Sequence, residues 1–205
     1  MELFVSDVGR LDNLPEDWAD QIVSVVDALA YSRAFDDTAP TAREKLAPGD
    51  KIETKVVNGD QIAQSAAWLT DLYGADLVQL ASELTGREVQ TGREQISNVN
   101  INVMSGVGGR YEKHVDTNHL TGIWFVTTLA PDAGGFLCFE TEEGVQQVRA
   151  EAGKIVFFDA RDVPHYVTAL QTQTTRIVVV MNFFFKDEAY SRPDVLNRYI
   201  YTASD

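Results

Sequence analysis

Two textures divide the chain. Up to about residue 95, apolar residues recur at the three- and four-residue spacing of helices; beyond it they gather in short β-type runs punctuated by glycine. Trp18, Ile22, Val25, Val26 and Leu29 form one helical stripe. Pro15-Glu16-Asp17 ahead of it suits a helix start, with proline in the first turn and acids at the positive end of the dipole. A second stripe (Ile62, Ala66, Leu69, Leu72, Tyr73) predicts a helix from about Asp60 to Leu84, with Gly74 as an interruption and Gly86 as its stop. Residues 37–58 are rich in Asp, Thr, Pro, Gly and Lys and predict an irregular connection, long enough to serve as a lid.

The second half predicts strands at Asn98–Met104, Ile123–Leu129, Phe136–Thr141, Val145–Ala150, Lys154–Phe158 and Arg176–Phe185. Gly108-Gly109, the run from Pro131 to Gly135, Glu142-Glu143-Gly144 and Gly153 separate them as turns. Many short strands joined in this way predict a sandwich or barrel. Pro193 to Tyr201 predicts a short helix. With no repeat or linker, the pattern reads as one domain over residues 1–205, with helical support over 1–95, a β core over 96–186 and a helix or tail over 187–205.

Charge narrows the partners. Seventeen Lys and Arg against 31 Asp and Glu leave a net charge of -14. Phosphate binding needs a basic face, so nucleic acid is not expected as a partner, and an anionic membrane surface would repel the chain. A single cysteine, Cys138, in the run Phe136-Leu137-Cys138-Phe139 allows no disulfide and reads as a buried apolar residue. The expected setting is reducing and cytoplasmic. No basic leader or 18-residue apolar run is present, so neither a signal peptide nor a membrane span is expected.

The chain holds three histidines: His114, His119 and His165. His114 and Asp116 stand two apart, and on a strand would share a face, so both can reach one ion. His165 must come from another segment, as an antiparallel neighbour. Two histidines and one carboxylate leave adjacent coordination positions open, which suits oxygen chemistry on non-haem Fe(II). A lone His-x-Asp is common by chance, so context decides. Arg176, eleven residues after His165, opens the apolar run Ile177 to Met181, and a charge entering a β core needs a partner.

That context is an ordered series. Tyr111 to Asp116 precedes a β-type run, Gly134-Gly135-Phe136 follows it, Gly153-Lys154-Ile155-Val156-Phe157-Phe158 leads to His165, and Arg176 comes last. Over about residues 96–186 the chain resembles the prolyl-hydroxylase-like branch of the Fe(II)- and 2-oxoglutarate-dependent oxygenases. The resemblance implies an α+β fold: a double-stranded β-helix (jelly-roll, cupin-like) core with N-terminal helices packed outside. It implies His114, Asp116 and His165 as iron ligands, and Arg176 as the bidentate partner of the distal carboxylate of 2-oxoglutarate. Dioxygen is the other co-substrate, succinate and carbon dioxide are the by-products, and the resemblance allows for stimulation by ascorbate. Relatives place a tyrosine where Met104 stands, and a second where Thr127 or Thr128 stands; the Thr128 hydroxyl remains a co-substrate candidate. Halogenating relatives replace the carboxylate that is Asp116 here, so oxidation such as hydroxylation is implied.

Parity proposes the pocket. Asn100, Asn102 and Met104 share a strand face, with Asn102 the candidate co-substrate contact, while ladder-edge asparagines remain the alternative. Asn182 falls on the face of Arg176 and is either a pocket residue or a polar strand end. Arg110 and Tyr111 could line the entrance, or belong to a mobile loop. Arg161 could read an anionic group, with a surface turn as the alternative, and Trp124 shares parity with Thr128 but also suits a core. His119 reads as a loop residue. The expected reaction is hydroxylation of an unactivated C–H bond of a small molecule, such as a free or carrier-bound amino acid. A prolyl or other peptidyl substrate is the alternative, and a cupin-like protein with another metal, or with no activity, is the rival reading. A monomer or homodimer is expected.

Overall fold

The structure, a computed structural model, describes residues 2–47, 52–201 and 203. Its N-terminal half contains β1 (Leu3–Asp7), α1 (Trp18–Leu29), β2 (Tyr31–Ser32), β3 (Lys55–Val57), α2 (Gly59–Ser65), α3 (Ala67–Leu72), α4 (Val78–Thr85), β4 (Val89–Thr91) and α5 (Gln95–Asn98). Then come β5 (Val99–Ser105), β6 (Tyr111–His114), β7 (Leu120–Phe125), β8 (Leu137–Thr141), β9 (Gly144–Val148), β10 (Lys154–Phe158), β11 (His165–Val167), β12 (Thr175–Phe185) and α6 (Leu196–Ile200).

The first helical stripe forms α1, but Pro15 lies outside the helix, ahead of the cap residue Asp17. The expected helix from Asp60 to Leu84 is divided. Ala66 leaves helical geometry at φ −143°, and a π-helical turn over Tyr73–Leu77 contains the predicted interruption at Gly74. Gly86 stops α4 at φ +66°, a left-handed conformation that costs glycine little. Asn58 starts α2 with a capping box: its side chain accepts from the Gln61 amide while the Gln61 side chain accepts from the Asn58 amide. The stretch read as irregular therefore contains a strand, β3, and a cap. Residues 48–51 of the candidate lid, and residues 202, 204 and 205 of the tail, lie outside the described residues.

All strand pairs are antiparallel and build two sheets. The larger runs β1-β10-β7-β12-β5-β3-β2, with β4 also on β12; the smaller runs β6-β11-β8-β9. The central strands of the larger sheet are apolar on both faces, as expected of strands covered on both sides. Ile155, Phe157, Trp124, Val179, Met181 and Phe183 face α1 to α4 in one core, whereas Val156, Phe158, Ile123, Phe125 and Val178 join Leu137, Phe139 and Val167 of the smaller sheet in a second. The site grows from this second, inter-sheet layer.

Strand ends agree with the pattern to within about two residues, except at β7. The run expected at Ile123–Leu129 begins at Leu120 and ends at Phe125. Past that point, the Thr127 hydroxyl replaces a backbone carbonyl as acceptor for the Ile177 amide, which closes the ladder. The acidic N-terminus, with no assigned structure in the sequence reading, forms the edge strand β1 on β10.

Gly134 and Gly135 both have φ near +70°, and a Cβ at Gly134 would stand 2.2 Å from the Ala169 carbonyl oxygen. Gly134→Ala is therefore expected to lose ~1–3 kcal/mol of stability, read as a lower urea midpoint. An unchanged midpoint would show that this hairpin yields freely.

Candidate metal and co-substrate site

His114 ends β6 and His165 begins β11, and the two are direct antiparallel partners. Their ring centroids lie 4.2 Å apart. Asp116 follows β6 rather than lying on it. Its amide donates to the Ala160 carbonyl at 3.0 Å, so the turn anchors it independently of strand parity. The Asp116 carboxylate then stands 3.5 Å from His114 Nε2 and 3.7 Å from His165 Nε2. One donor atom from each of the three residues falls within 4.8 Å of the others.

Hydrogen bonds fix what each donor presents. His114 Nδ1 lies 2.9 Å from the Glu112 carbonyl oxygen, and His165 Nδ1 lies 3.2 Å from that of Val163. With Nδ1–H donating to these carbonyls, both Nε2 lone pairs are free to meet a cation. Burial, and then neighbouring His114, push the His165 imidazole down to about 4, so it is held neutral, the form that ligates metal. Asp116 Oδ2 accepts from the Thr121 hydroxyl. The Thr121 oxygen in turn accepts from the Asn118 side chain at 2.8 Å, and Asn118 is tied to the Leu120 carbonyl. Neither Thr121 nor Asn118 was singled out in the sequence, because nothing in the local pattern marks a residue that acts by holding a carboxylate.

Arg176 enters from β12 opposite Met104, on the inter-sheet side. It is 3% exposed and its guanidinium carbon stands 5.4 Å from the Phe125 ring centroid. Its Nε and Nη2 are buried with no hydrogen-bond partner among the described residues. Burial pushes the group down to about 10. A cation left in this condition needs an anion from outside the protein.

One cavity joins these groups. His114, Asp116, His165, Arg176, Asn100, Asn102, Met104, Tyr111 and Asn182 all line it. Asn182 also donates to the Ser97 carbonyl at 2.6 Å, so the strand-end reading and the pocket reading both describe it. Part of the candidate lid is fixed in place: the Val115 amide donates to the Thr41 carbonyl and the Arg43 amide to the Lys113 carbonyl, which lays residues 41–43 along β6. Phe35, Ala39 and Ala42 from that side, and Leu196 and Tyr199 from the C-terminal side, wall the cavity.

Other candidates stand elsewhere. Thr128 is exposed past the end of β7 and accepts from the Ala152 amide at 2.9 Å, away from the cavity. Trp124 is fully buried on the opposite face, 4.8 Å from the Trp18 ring and among the helix-facing residues, so it is core. Arg161 turns outward to pair with Asp159 and Glu188. Arg110 is not among the cavity residues and pairs with Glu44 at 2.6 Å. His119 occupies the expected bend, but buried, where its Nδ1 accepts from the Phe185 amide at 3.0 Å. Burial holds it neutral as a brace for β12. Arg33 and Glu112 were missed: Glu112 shares the parity of His114, a legible signal, while Arg33 sits 81 residues away in sequence.

Residues 99–184 match the 2OG-Fe(II) oxygenase superfamily. This segment belongs to that family. The match, over somewhat under half of the chain, supports a 2-oxoglutarate-dependent non-haem iron dioxygenase, and the family uses Fe(II), 2-oxoglutarate and dioxygen. No curated protein matches the chain. Among solved structures, it resembles a Trichoplax adhaerens prolyl hydroxylase in complex with a hypoxia inducible factor peptide fragment. That likeness has 15% identity and a TM-score of 0.64, over 90% of this chain and 84% of the other. A Pseudomonas putida prolyl-4-hydroxylase is similar at 18% identity and a TM-score of 0.55, over 91% and 93%. The α-ketoglutarate dependent epimerase SnoN from nogalamycin biosynthesis is similar at 14% and 0.66, over 99% and 84%. These likenesses show the fold, a double-stranded β-helix core with helices outside. The site fits the family's cofactors on its own terms: two imidazole nitrogens and a carboxylate suit Fe(II), and the unpartnered Arg176 suits a carboxylate. No helix among the described residues is long and apolar enough to cross a membrane.

Proposed function

We propose that the chain hydroxylates an unactivated C–H bond of a small molecule of amino-acid type, consuming 2-oxoglutarate and releasing succinate and carbon dioxide. His114, Asp116 and His165 would hold the iron, and Arg176 would bind the distal carboxylate of 2-oxoglutarate. The observation that carries this is the buried guanidinium with two unpartnered nitrogens in the cavity that the triad lines. When bound, iron would activate dioxygen, the oxidant, with 2-oxoglutarate giving two of the four electrons as it becomes succinate and carbon dioxide, and the substrate C–H bond giving the other two. The chain supplies position. Both imidazoles are oriented by backbone carbonyls and Asp116 by Thr121, so the three side chains would hold the ion at the cavity that they line. Apolar walls at Met104, Ile123, Leu137 and Val178 exclude water from it.

Cover from residues 35–42 on one side and 196–201 on the other favours a small ligand over a protein segment. The neighbours include one solved with a peptide and one from nogalamycin biosynthesis, so the substrate is decided by assay. In the absence of oxygen, Fe(II) and 2-oxoglutarate should give a visible charge-transfer band; no band would overturn the proposal. With air, succinate release should rise with a member of an amino-acid panel, whereas stimulation by peptides alone would favour the peptidyl reading.

Thr121→Val removes the donor to Asp116 while keeping its volume. It is expected to weaken metal retention about 10- to 100-fold, with secondary structure unchanged, as measured by competition with a chelator. Wild-type retention would mean that the Thr121 contact does not orient Asp116.

A further inference from the structure

The cavity has a second polar end that the iron and co-substrate reading leaves unused. Arg33 follows β2, and its amide donates to the Thr54 carbonyl at 2.9 Å; the pairings of β2 with β3 and of β3 with β5 put that row level with Met104, which faces Arg176 on β12. At about 4.8 Å per strand, Arg33 lies three strands, roughly 14 Å, from Arg176 across the sheet. Here Arg33 and Glu112 form an ion pair at 2.6 Å, with both residues 6% exposed and both lining the cavity. The Arg33 guanidinium also lies 4.7 Å from the Tyr111 ring centroid. Asn100 donates to the Tyr201 hydroxyl at 3.1 Å beside the pair.

The pair is incomplete in a particular way. Arg33 Nε is a buried donor with no partner, and Glu112 Oε2 is a buried acceptor with no partner. A buried ion pair is tolerated when its remaining donors and acceptors are filled, and costs stability when they are not. The unmet pattern is therefore one acceptor and one donor, side by side, presented by something that enters the cavity. A purely anionic group would satisfy Arg33 and face Glu112; a purely cationic group would do the reverse. The cavity lining carries three cations (Arg33, Arg176, Arg192) and three acids (Asp36, Glu112, Asp116). Ferrous iron and the 2-oxoglutarate dianion add no net charge. The remaining ligand is then best accommodated with no net charge of its own.

We propose that Arg33 and Glu112 form the headgroup subsite of the substrate and take a zwitterion, a free α-carboxylate on Arg33 and a free ammonium on Glu112, which rests on the oxygenase reading above. The substrate is thus a free amino acid rather than a carrier-bound thioester, whose acyl carbon bears no charge. Its side chain then extends from the headgroup end toward the triad.

The test uses the full-length protein loaded with Zn(II), which does not turn over, and 2-oxoglutarate. First, 2-oxoglutarate binding is measured by calorimetry; if none occurs, the oxygenase reading fails and the subsite is tested separately by binding to the metal-free protein. The twenty protein amino acids are then titrated, each beside its N-acetyl and carboxamide derivatives. At least one free amino acid is expected to bind at least tenfold tighter than either of its derivatives. Arg33→Gln and Glu112→Gln should each weaken that binding at least tenfold, while changing 2-oxoglutarate affinity less than twofold. Equal binding of free and capped forms, or no binding of any free amino acid, overturns the subsite. This comparison uses the unaltered chain, so it stands even if a variant of the buried pair fails to fold.

Discussion

Asp116→Ala is expected to abolish 2-oxoglutarate turnover, a loss of at least about a thousandfold in succinate release. Removing one of the three proposed ligand atoms leaves two imidazoles, and the local geometry offers no replacement: Glu112 is turned toward Arg33 at 2.6 Å, and no other acid of the cavity belongs to the three-residue donor group. The fold should survive, because Asp116 is anchored through its backbone amide to Ala160, which alanine retains. The side chain's own bond with Thr121 is worth ~1 kcal/mol by comparison. Circular dichroism should therefore overlay that of the parent chain while metal retention falls. Succinate release at the parent rate from a folded Asp116→Ala protein would remove Asp116 from the ligand set.

The sequence shows much of this arrangement, for reasons that differ residue by residue. His114 and His165 were legible because the ligand set is chemically restrictive and the chain has few histidines. Arg176 was legible because a charge opening a run of valines demands explanation. Thr128 was misplaced by the assumption that its face of β7 meets the pocket; Trp124 and Val126 share that face and pack in the helix-side core, the core reading already favoured for Trp124. The Thr127 hydroxyl ends the ladder, and a side chain substituting for a carbonyl leaves no periodic trace. The helix expected from Asp60 to Leu84 shows the same limit: its apolar stripe is real, but the break at Ala66 and the π turn at Tyr73–Leu77 belong to packing. Arg33 and Glu112 meet only because β2 and β6 border one cavity, a long-range fact that no window of sequence contains.

Arg176→Met should separate two effects that usually move together. In the parent chain, the guanidinium is buried with two nitrogens unpartnered, and burial lowers it from the ordinary arginine value to about 10. That difference corresponds to ~3 kcal/mol disfavouring the charged form in the folded state. The folded value is the depressed one, so the penalty is fully present below about pH 10 and is relieved only as pH rises through the folded value toward that of a free arginine. At neutral pH the apoprotein therefore carries the whole cost. Methionine keeps a flexible apolar stem of similar length against Phe125 and removes the charge. The apo form of the variant is expected to melt several degrees higher than the parent, since 1 kcal/mol moves the midpoint by about 2–4 °C in a chain of this size. The same change should raise the 2-oxoglutarate requirement at least a hundredfold, because the distal carboxylate would lose the bidentate partner proposed for it. Parallel thermal melts of both apoproteins, with and without Zn(II) and 2-oxoglutarate, read both quantities. The parent should gain stability on adding 2-oxoglutarate and the variant should not. A variant that is less stable as apoprotein, yet binds 2-oxoglutarate as tightly as the parent, would mean that Arg176 is paired within the fold and that another cation holds the co-substrate.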